Sequence, residues 1–96
     1  MDAATFTRQF AQQTMKQFGL KEEEVRLFTF VPEPDWDPDE IEQVKAQVRQ
    51  HLGIGAVVAL EDAMQRPRKR PGALRGIFFL ANGETLLAEE DLPMQA

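Results

Sequence analysis

Two charged segments hold the residues whose types and spacing could do chemistry. The first is a basic segment at 66–75, RPRKRPGALR, with five cations, namely Arg66, Arg68, Lys69, Arg70 and Arg75. Arginine binds carboxylate and phosphate groups through parallel N–H donors, and the prolines in this segment favour an extended backbone. We therefore predict that the five cations bind an anionic surface. The alternative is a solvated loop that the protein's own carboxylates neutralise.

The second segment, 33–42, is acidic, and we predict that it forms a secondary contact surface through Asp35, Trp36, Asp37 and Asp39. The three aspartates alternate as at the start of a calcium-binding EF-hand loop. The rest of that motif is missing, because Glu40 stands where the loop requires glycine and Ala46 where it requires a bidentate glutamate. Helix capping explains most of this segment, and we predict no metal site.

Nucleophilic and acid–base catalysis have few candidate groups in this chain. The sequence contains no serine, cysteine or tyrosine, and its one histidine, His51, falls near the end of a predicted helix, where its charge suits the helix dipole. We therefore predict a protein that is not an enzyme and uses no cofactor. An enzyme or enzyme subunit that uses Lys69, the arginines and Asp35 with Asp37 is the rival hypothesis.

Composition indicates one small globular domain over residues 1–96, with a frayed tail after about residue 90. The net charge of −5 repels phosphate, so nucleic acid is an unlikely partner. The chain has no cysteine, no signal-peptide pattern and no apolar stretch long enough to span a bilayer, which favours a cytoplasmic protein without a membrane partner.

The first half of the chain predicts two helices around one strand. Residues 5–18 form an amphipathic helix whose apolar stripe, Phe6, Phe10, Met15 and Phe18, is expected to pack on a sheet. Residues 25–31 form a strand that is apolar on both faces, which is typical of a central strand. The next helix is capped by Asp37, has Pro38 in its first position and ends before Gly53.

The second half predicts three more strands. Residues 56–60 (AVVAL) are expected to form a strand parallel to the first, followed by a polar loop at 61–75. Residues 76–81 and 84–89 form a hairpin around a two-residue type I′ turn at Asn82-Gly83, with Phe79 opposite Leu86 and Phe78 opposite Leu87. The expected fold is α+β, a two-layer sandwich in which a four-stranded mixed sheet carries both helices on one face.

Residues 25–80 contain a strand, a helix ending in Leu-Gly, a second predicted strand and a loop rich in proline and arginine. In this order the segment resembles the small C-terminal subdomain of phenylacetate-CoA-ligase-type adenylating enzymes. The resemblance implies a related fold and no activity. The glycine–lysine pair that assists adenylation in that family is not matched, since Lys69 and Gly72 stand in the opposite order.

The charge distribution favours a small adaptor that binds another protein, with the basic segment on an acidic surface of the partner. Self-association is also open, because the acidic and basic segments of two copies could pair. Two further alternatives are an accessory subunit or remnant subdomain of an adenylating enzyme, and nucleic-acid binding through the basic loop.

Overall fold

The computed structural model describes residues 2–67 and 74–90. Within them the chain forms three α-helices and three strands, in the order α1 (Ala3–Phe18), β1 (Val25–Phe30), α2 (Pro38–Leu52), α3 (Ile54–Gln65), β2 (Leu74–Leu80) and β3 (Thr85–Glu90), with a 3₁₀ turn at Glu22–Glu24. The α+β class is confirmed. Most of the tail predicted to fray lies outside the described residues. Among those residues, no helix combines the length and apolarity needed to cross a bilayer.

The first two helices begin at aspartates that cap them and end at glycines. Asp2 accepts a hydrogen bond from the backbone N–H of Thr5 at 2.8 Å, and this bond lowers the pKa of the Asp2 carboxyl from its usual 3.8. Asp37 caps α2 in the same way, through the N–H of Asp39 at 2.8 Å. Gly19 ends α1 in the left-handed conformation, which lets the Leu20 N–H reach the Met15 carbonyl at 2.8 Å. The predicted Asp37 cap and the end of α2 before Gly53 are confirmed, whereas α1 begins at Ala3, two residues before its predicted start.

The strand predicted at 56–60 is wrong, because these residues lie inside helix α3. The predicted loop is also wrong in its first part, since α3 continues to Gln65. A short apolar run does not distinguish a buried strand from a buried helix, and the adjacent valines favoured the strand. The helical signal was longer: Val57, Leu60 and Ala63 recur every three residues, and all three are buried.

The sheet differs from the prediction in size, direction and strand order. In the part of the chain that the structure describes, it has three strands in the order β1-β2-β3, and both pairs are antiparallel. The four-stranded mixed sheet is therefore wrong. Strand β1 lies at an edge of the sheet and β2 at its centre, contrary to the central position predicted for β1.

Helices cover both faces of the sheet, which corrects the prediction that they share one face. Successive residues of β2 point to opposite sides. Phe78 packs in a core with Ala11 and Met15 of α1, whereas Ile77 packs in a second core with residues of α2 and α3, among them Val48 and Leu60. An edge strand between two helical layers is also apolar on both faces. This arrangement explains the composition of β1.

Aromatic rings attach α1 to the sheet. Phe10 is buried, and its ring centroid lies 5.1 Å from that of Phe30 and 5.9 Å from that of Phe28. Phe6 stacks on Phe30 at 6.0 Å. The prediction that this stripe packs on a sheet is confirmed for these side chains but not for Phe18, which is 46% exposed.

The β2–β3 hairpin is present, but its register is shifted by one residue from the prediction. Phe79 lies opposite Thr85 and Phe78 opposite Leu86. The Gly83 N–H donates to the Leu80 carbonyl at 3.0 Å, and Gly83 has a φ of 90°. This geometry is that of a three-residue loop closed by glycine, so the predicted type I′ turn is wrong.

Gly83→Ala is expected to lower the free energy of unfolding by about 1–2 kcal/mol, because a Cβ atom is disfavoured at this positive φ. Urea denaturation measures the change. Gly55→Ala in α3 is the matched control, since a Cβ there meets no atom within 4 Å and Gly55 does not have a positive φ. Equal effects of the two substitutions would contradict the turn assignment.

Candidate functional site

The fold brings the start of the acidic segment and both ends of the basic segment to one end of the sheet. The N–H of Val31, just after β1, donates to the carbonyl of Arg75 at 2.8 Å. The acidic segment therefore leaves the sheet beside the point where the basic segment enters it. We call this region the loop end; it consists of residues 31–37, 65–67, 74–75 and 89–90.

Arg75 is an internal residue of the loop end. Only 2% of it is exposed, and its Nη1 donates to the carbonyl oxygen of Arg66 at 2.9 Å. Its Nε lies 3.9 Å from the Oε1 of Glu89, its cross-strand neighbour on β3. The guanidinium thus joins the first and last residues of the basic segment and compensates part of its own burial with a nearby carboxylate.

Arg66 differs from Arg75 in its exposure. It caps the C-terminal end of α3, and its side chain is exposed and forms no ion pair with another described residue. Arg68, Lys69 and Arg70 lie outside the described residues, so their predicted role in binding stays a prediction. Of the two predicted cations that the structure describes, Arg66 faces solvent and Arg75 faces the protein.

Sequence reasoning missed Glu89 as the partner of Arg75. The predicted hairpin register would have placed Glu90 opposite Arg75, whereas the observed register places Glu89 there. Because side chains alternate between the two faces of a sheet, a shift of one residue changes which glutamate shares a face with the arginine. Predicting a three-residue loop closed by Gly83 would have given the observed register and the pair of Arg75 with Glu89.

A cleft of about 460 Å³ lies between α3 and β3 beside these charges. Residues of both elements line it, among them Asp62, Ala63, Arg66, Thr85, Leu87 and Glu89. Acidic and basic groups are mixed along its wall, so the cleft as a whole has no single sign of charge. Its length along β3 and its apolar middle are better suited to a chain segment than to a small ion.

The acidic segment is mainly a surface turn before α2. Asp35, Asp37 and Asp39 are exposed and Trp36 is half-buried. The Trp36 N–H donates to the Glu33 carbonyl at 3.0 Å, and the Asp37 carboxylate is used as the helix cap. Within 2–67 and 74–90, no group of three or more acidic, histidine or cysteine side chains could hold a metal ion.

Of the groups named for the rival enzyme hypothesis that the structure describes, Arg66 and Arg75 line the cleft. Neither Asp35 nor Asp37 lines it. His51 is exposed, and its Nδ1 lies 2.8 Å from the carbonyl oxygen of Gln47, one turn earlier in α2, to which it donates. The helix-end role predicted for His51 therefore agrees with its position.

Comparisons with protein families, with curated proteins and with solved structures found no significant match to this chain. The resemblance to the small subdomain of adenylating enzymes therefore stays a prediction. One of its components is absent, because the second strand on which it relied belongs to α3.

Proposed function

We propose that this protein is a small, cytoplasmic, non-enzymatic module that binds another protein through its basic segment at 66–75. The observation that supports the proposal is the bond from the buried Arg75 side chain to the Arg66 carbonyl at 2.9 Å. This bond joins Arg75 to Arg66, the last and first residues of the segment, at the loop end. A segment whose two ends are joined has fewer conformations than an open chain. Its cations therefore lose less conformational entropy on binding.

An acidic protein surface is a better partner than nucleic acid because of the charge on the rest of the chain. The whole chain has 16 acidic and 11 basic residues, and five of the basic ones lie in this segment. A long polyphosphate would contact the rest of the chain, in which acidic residues outnumber basic ones, as well as the basic segment. At physiological ionic strength charges act over about 8 Å, so a compact acidic patch would interact with the segment alone.

The exposed Asp35 and Asp39 form the secondary contact of this proposal. Asp35 lies within the loop end and Asp39 lies two residues beyond it, where both would approach basic groups around the acidic patch of a partner. Exposed charge pairs add little affinity, but they exclude partners of the wrong sign. The two segments together would select a surface on which acidic and basic groups are adjacent.

The test is binding of a fluorescent oligoglutamate peptide at about 0.15 M salt, where distant charges are screened. Replacing the three central cations, with Arg68→Gln, Lys69→Gln and Arg70→Gln together, is expected to weaken binding about tenfold, since each lost pair contributes up to about 1 kcal/mol. Fluorescence anisotropy measures the dissociation constant.

The matched control removes the same charge from exposed positions far along the chain, with Arg8→Gln, Lys16→Gln and Lys21→Gln together. This variant is expected to bind within about twofold of the wild type at this salt concentration. Equal weakening in both variants would show that only net charge matters and would contradict the proposal. Tighter binding of an RNA oligonucleotide than of oligoglutamate would favour the nucleic-acid alternative instead.

A further inference from the structure

Strand β3 has an edge whose backbone groups point away from the sheet. The Leu80 N–H donates to the Glu84 carbonyl at 2.8 Å, so the backbone of Glu84 faces β2. In an antiparallel pair the direction alternates, which turns the N–H and C=O of Thr85 and Leu87 outward. Neither residue makes an outward backbone hydrogen bond to another described residue.

This edge has few of the features that protect natural edge strands. Such strands usually carry a proline, a lysine or a bulge. The pairing of β3 with β2 is regular from Thr85 to Glu90, and the first four residues, Thr85 to Ala88, are uncharged. Four regular, uncharged residues at an edge that no other described strand pairs with form a template for another strand.

The cleft lies against the same strand. Its walls come from α3 on one side and from Thr85, Leu87 and Glu89 of β3 on the other. Because α3 packs over the central strand, the face of β3 beside it is incompletely covered, and Leu87 is only half-buried. A strand added to the edge of β3 would therefore find space for its side chains between itself and α3.

The lining of the cleft indicates which side chains would fit. Near the hairpin turn the walls are neutral, with Ala59 and Thr85, and Leu87 makes the middle apolar. At the loop end the lining is charged: Asp62 of α3 and Arg66 after it are exposed, and Glu89 lies beside the buried Arg75, so Arg66 is the accessible cation there. Alternate side chains of an added strand face the same side of the sheet. Two apolar side chains followed by a carboxylate would thus match the cleft from the turn to Arg66.

We propose that β3 binds an extended peptide segment of the partner as an additional strand, with two alternate apolar side chains in the cleft and a carboxylate near Arg66. The segment would exchange backbone hydrogen bonds with Thr85 and Leu87. About five residues, or roughly 17 Å of strand, cover this edge. The inference rests on the proposed function, because it specifies the form in which an acidic partner would bind.

The probes are two synthetic pentapeptides, acetyl-Val-Thr-Val-Thr-Glu-amide and the same sequence reversed, since a strand can add in either direction. Titration into the isotopically labelled full chain, followed by NMR, is expected to shift the Thr85 and Leu87 amide signals. At saturation, hydrogen exchange of these two amides should slow about tenfold or more. A peptide with lysine in place of glutamate should bind about fivefold more weakly.

Two variants separate backbone pairing from charge. Thr85→Pro removes an outward N–H at the first position of the strand, where proline is tolerated, and should weaken binding about tenfold. Thr85→Val is the matched control, because it keeps this N–H and the branched shape of an exposed side chain, and it should leave peptide binding unchanged. Arg66→Gln should remove the preference for glutamate over lysine while keeping the exchange protection.

The outcomes distinguish this inference from the proposed function. If oligoglutamate binding depends on the three central cations but neither pentapeptide slows exchange at Thr85 and Leu87, strand addition is wrong and the proposed function stands. If the pentapeptides bind while the three central cations prove irrelevant to oligoglutamate, the proposed function fails instead. Protection that rises with protein concentration in the absence of peptide would assign this edge to a second copy of the chain and overturn the proposal.

Discussion

Replacing Gly76 with alanine is expected to lower the free energy of unfolding by about 2–3 kcal/mol, a large effect for one added methyl group. Gly76 is buried in the central strand, on the face that α1 covers. A Cβ atom at this position would lie 2.7 Å from the Cζ of Phe28 and 3.3 Å from the Cε1 of Phe10. Both distances are shorter than an ordinary contact between carbon atoms, so at least one ring would have to move.

The Phe28 ring has little room to move. Its centroid lies 4.7 Å from that of Phe78 and 5.2 Å from that of Phe30, which are the distances of packed aromatic pairs. Moving the ring would disturb these contacts as well as the contact with Phe10. The cost of Gly76→Ala therefore comes from the whole aromatic cluster, and Gly76→Val should be more destabilising still.

Chemical denaturation measures this effect, and two comparisons identify its cause. Gly55→Ala adds the same methyl group where nothing lies within 4 Å, and it should leave stability unchanged or raise it by up to about 1 kcal/mol. Phe28→Leu should partly rescue Gly76→Ala, because the smaller side chain leaves space for the new Cβ. Additive effects in this double-mutant cycle would show that the ring is not the obstacle.

Replacing Arg75 with methionine is expected to cost about 3 kcal/mol of unfolding free energy. The side chains of Arg75 and Glu89 are only 3% and 10% exposed, respectively. Removing the guanidinium takes away the cation 3.9 Å from the Glu89 Oε1, and it also removes the hydrogen bond to the Arg66 carbonyl. Both losses contribute to the cost.

A second substitution tests this explanation. In Arg75→Met with Glu89→Leu, no buried charge of the pair remains, and about half or more of the lost stability should return. Arg26→Met removes an exposed arginine from the neighbouring strand and should change stability by less than about 0.5 kcal/mol. If the double variant is no more stable than Arg75→Met, the cost arises from the lost bond to Arg66 instead.

Part of the candidate site could be predicted from the sequence. The two charged segments are visible as residue runs, and the turn and cap before α2 placed the acidic aspartates at the surface. The burial of Arg75 could not be predicted, because the composition of the segment does not say which of its five cations points into the protein. That difference depends on the strand register, which places Arg75 opposite Glu89.

The cleft at β3 was also beyond sequence analysis. It exists because α3 is a helix that packs over the central strand and leaves the edge strand partly uncovered. The prediction of a strand at 56–60 removed α3 from the fold, and with it one wall of the cleft. An apolar run of five residues satisfies the burial needs of either a strand or a helix, so local pattern alone did not decide between them.

The sequence by itself determined the α+β class, the start and end of α2 and the presence of the hairpin, because each depends on residues close together in the chain. Tertiary structure alone decided the strand order, the two helical layers, the hairpin register and the orientation of Arg75. These features depend on which apolar surfaces pack together. Burial of apolar area stabilises many such pairings and does not by itself distinguish between them. Close packing, such as that of Phe28 against Gly76 and of Ile77 against α3, selects one arrangement.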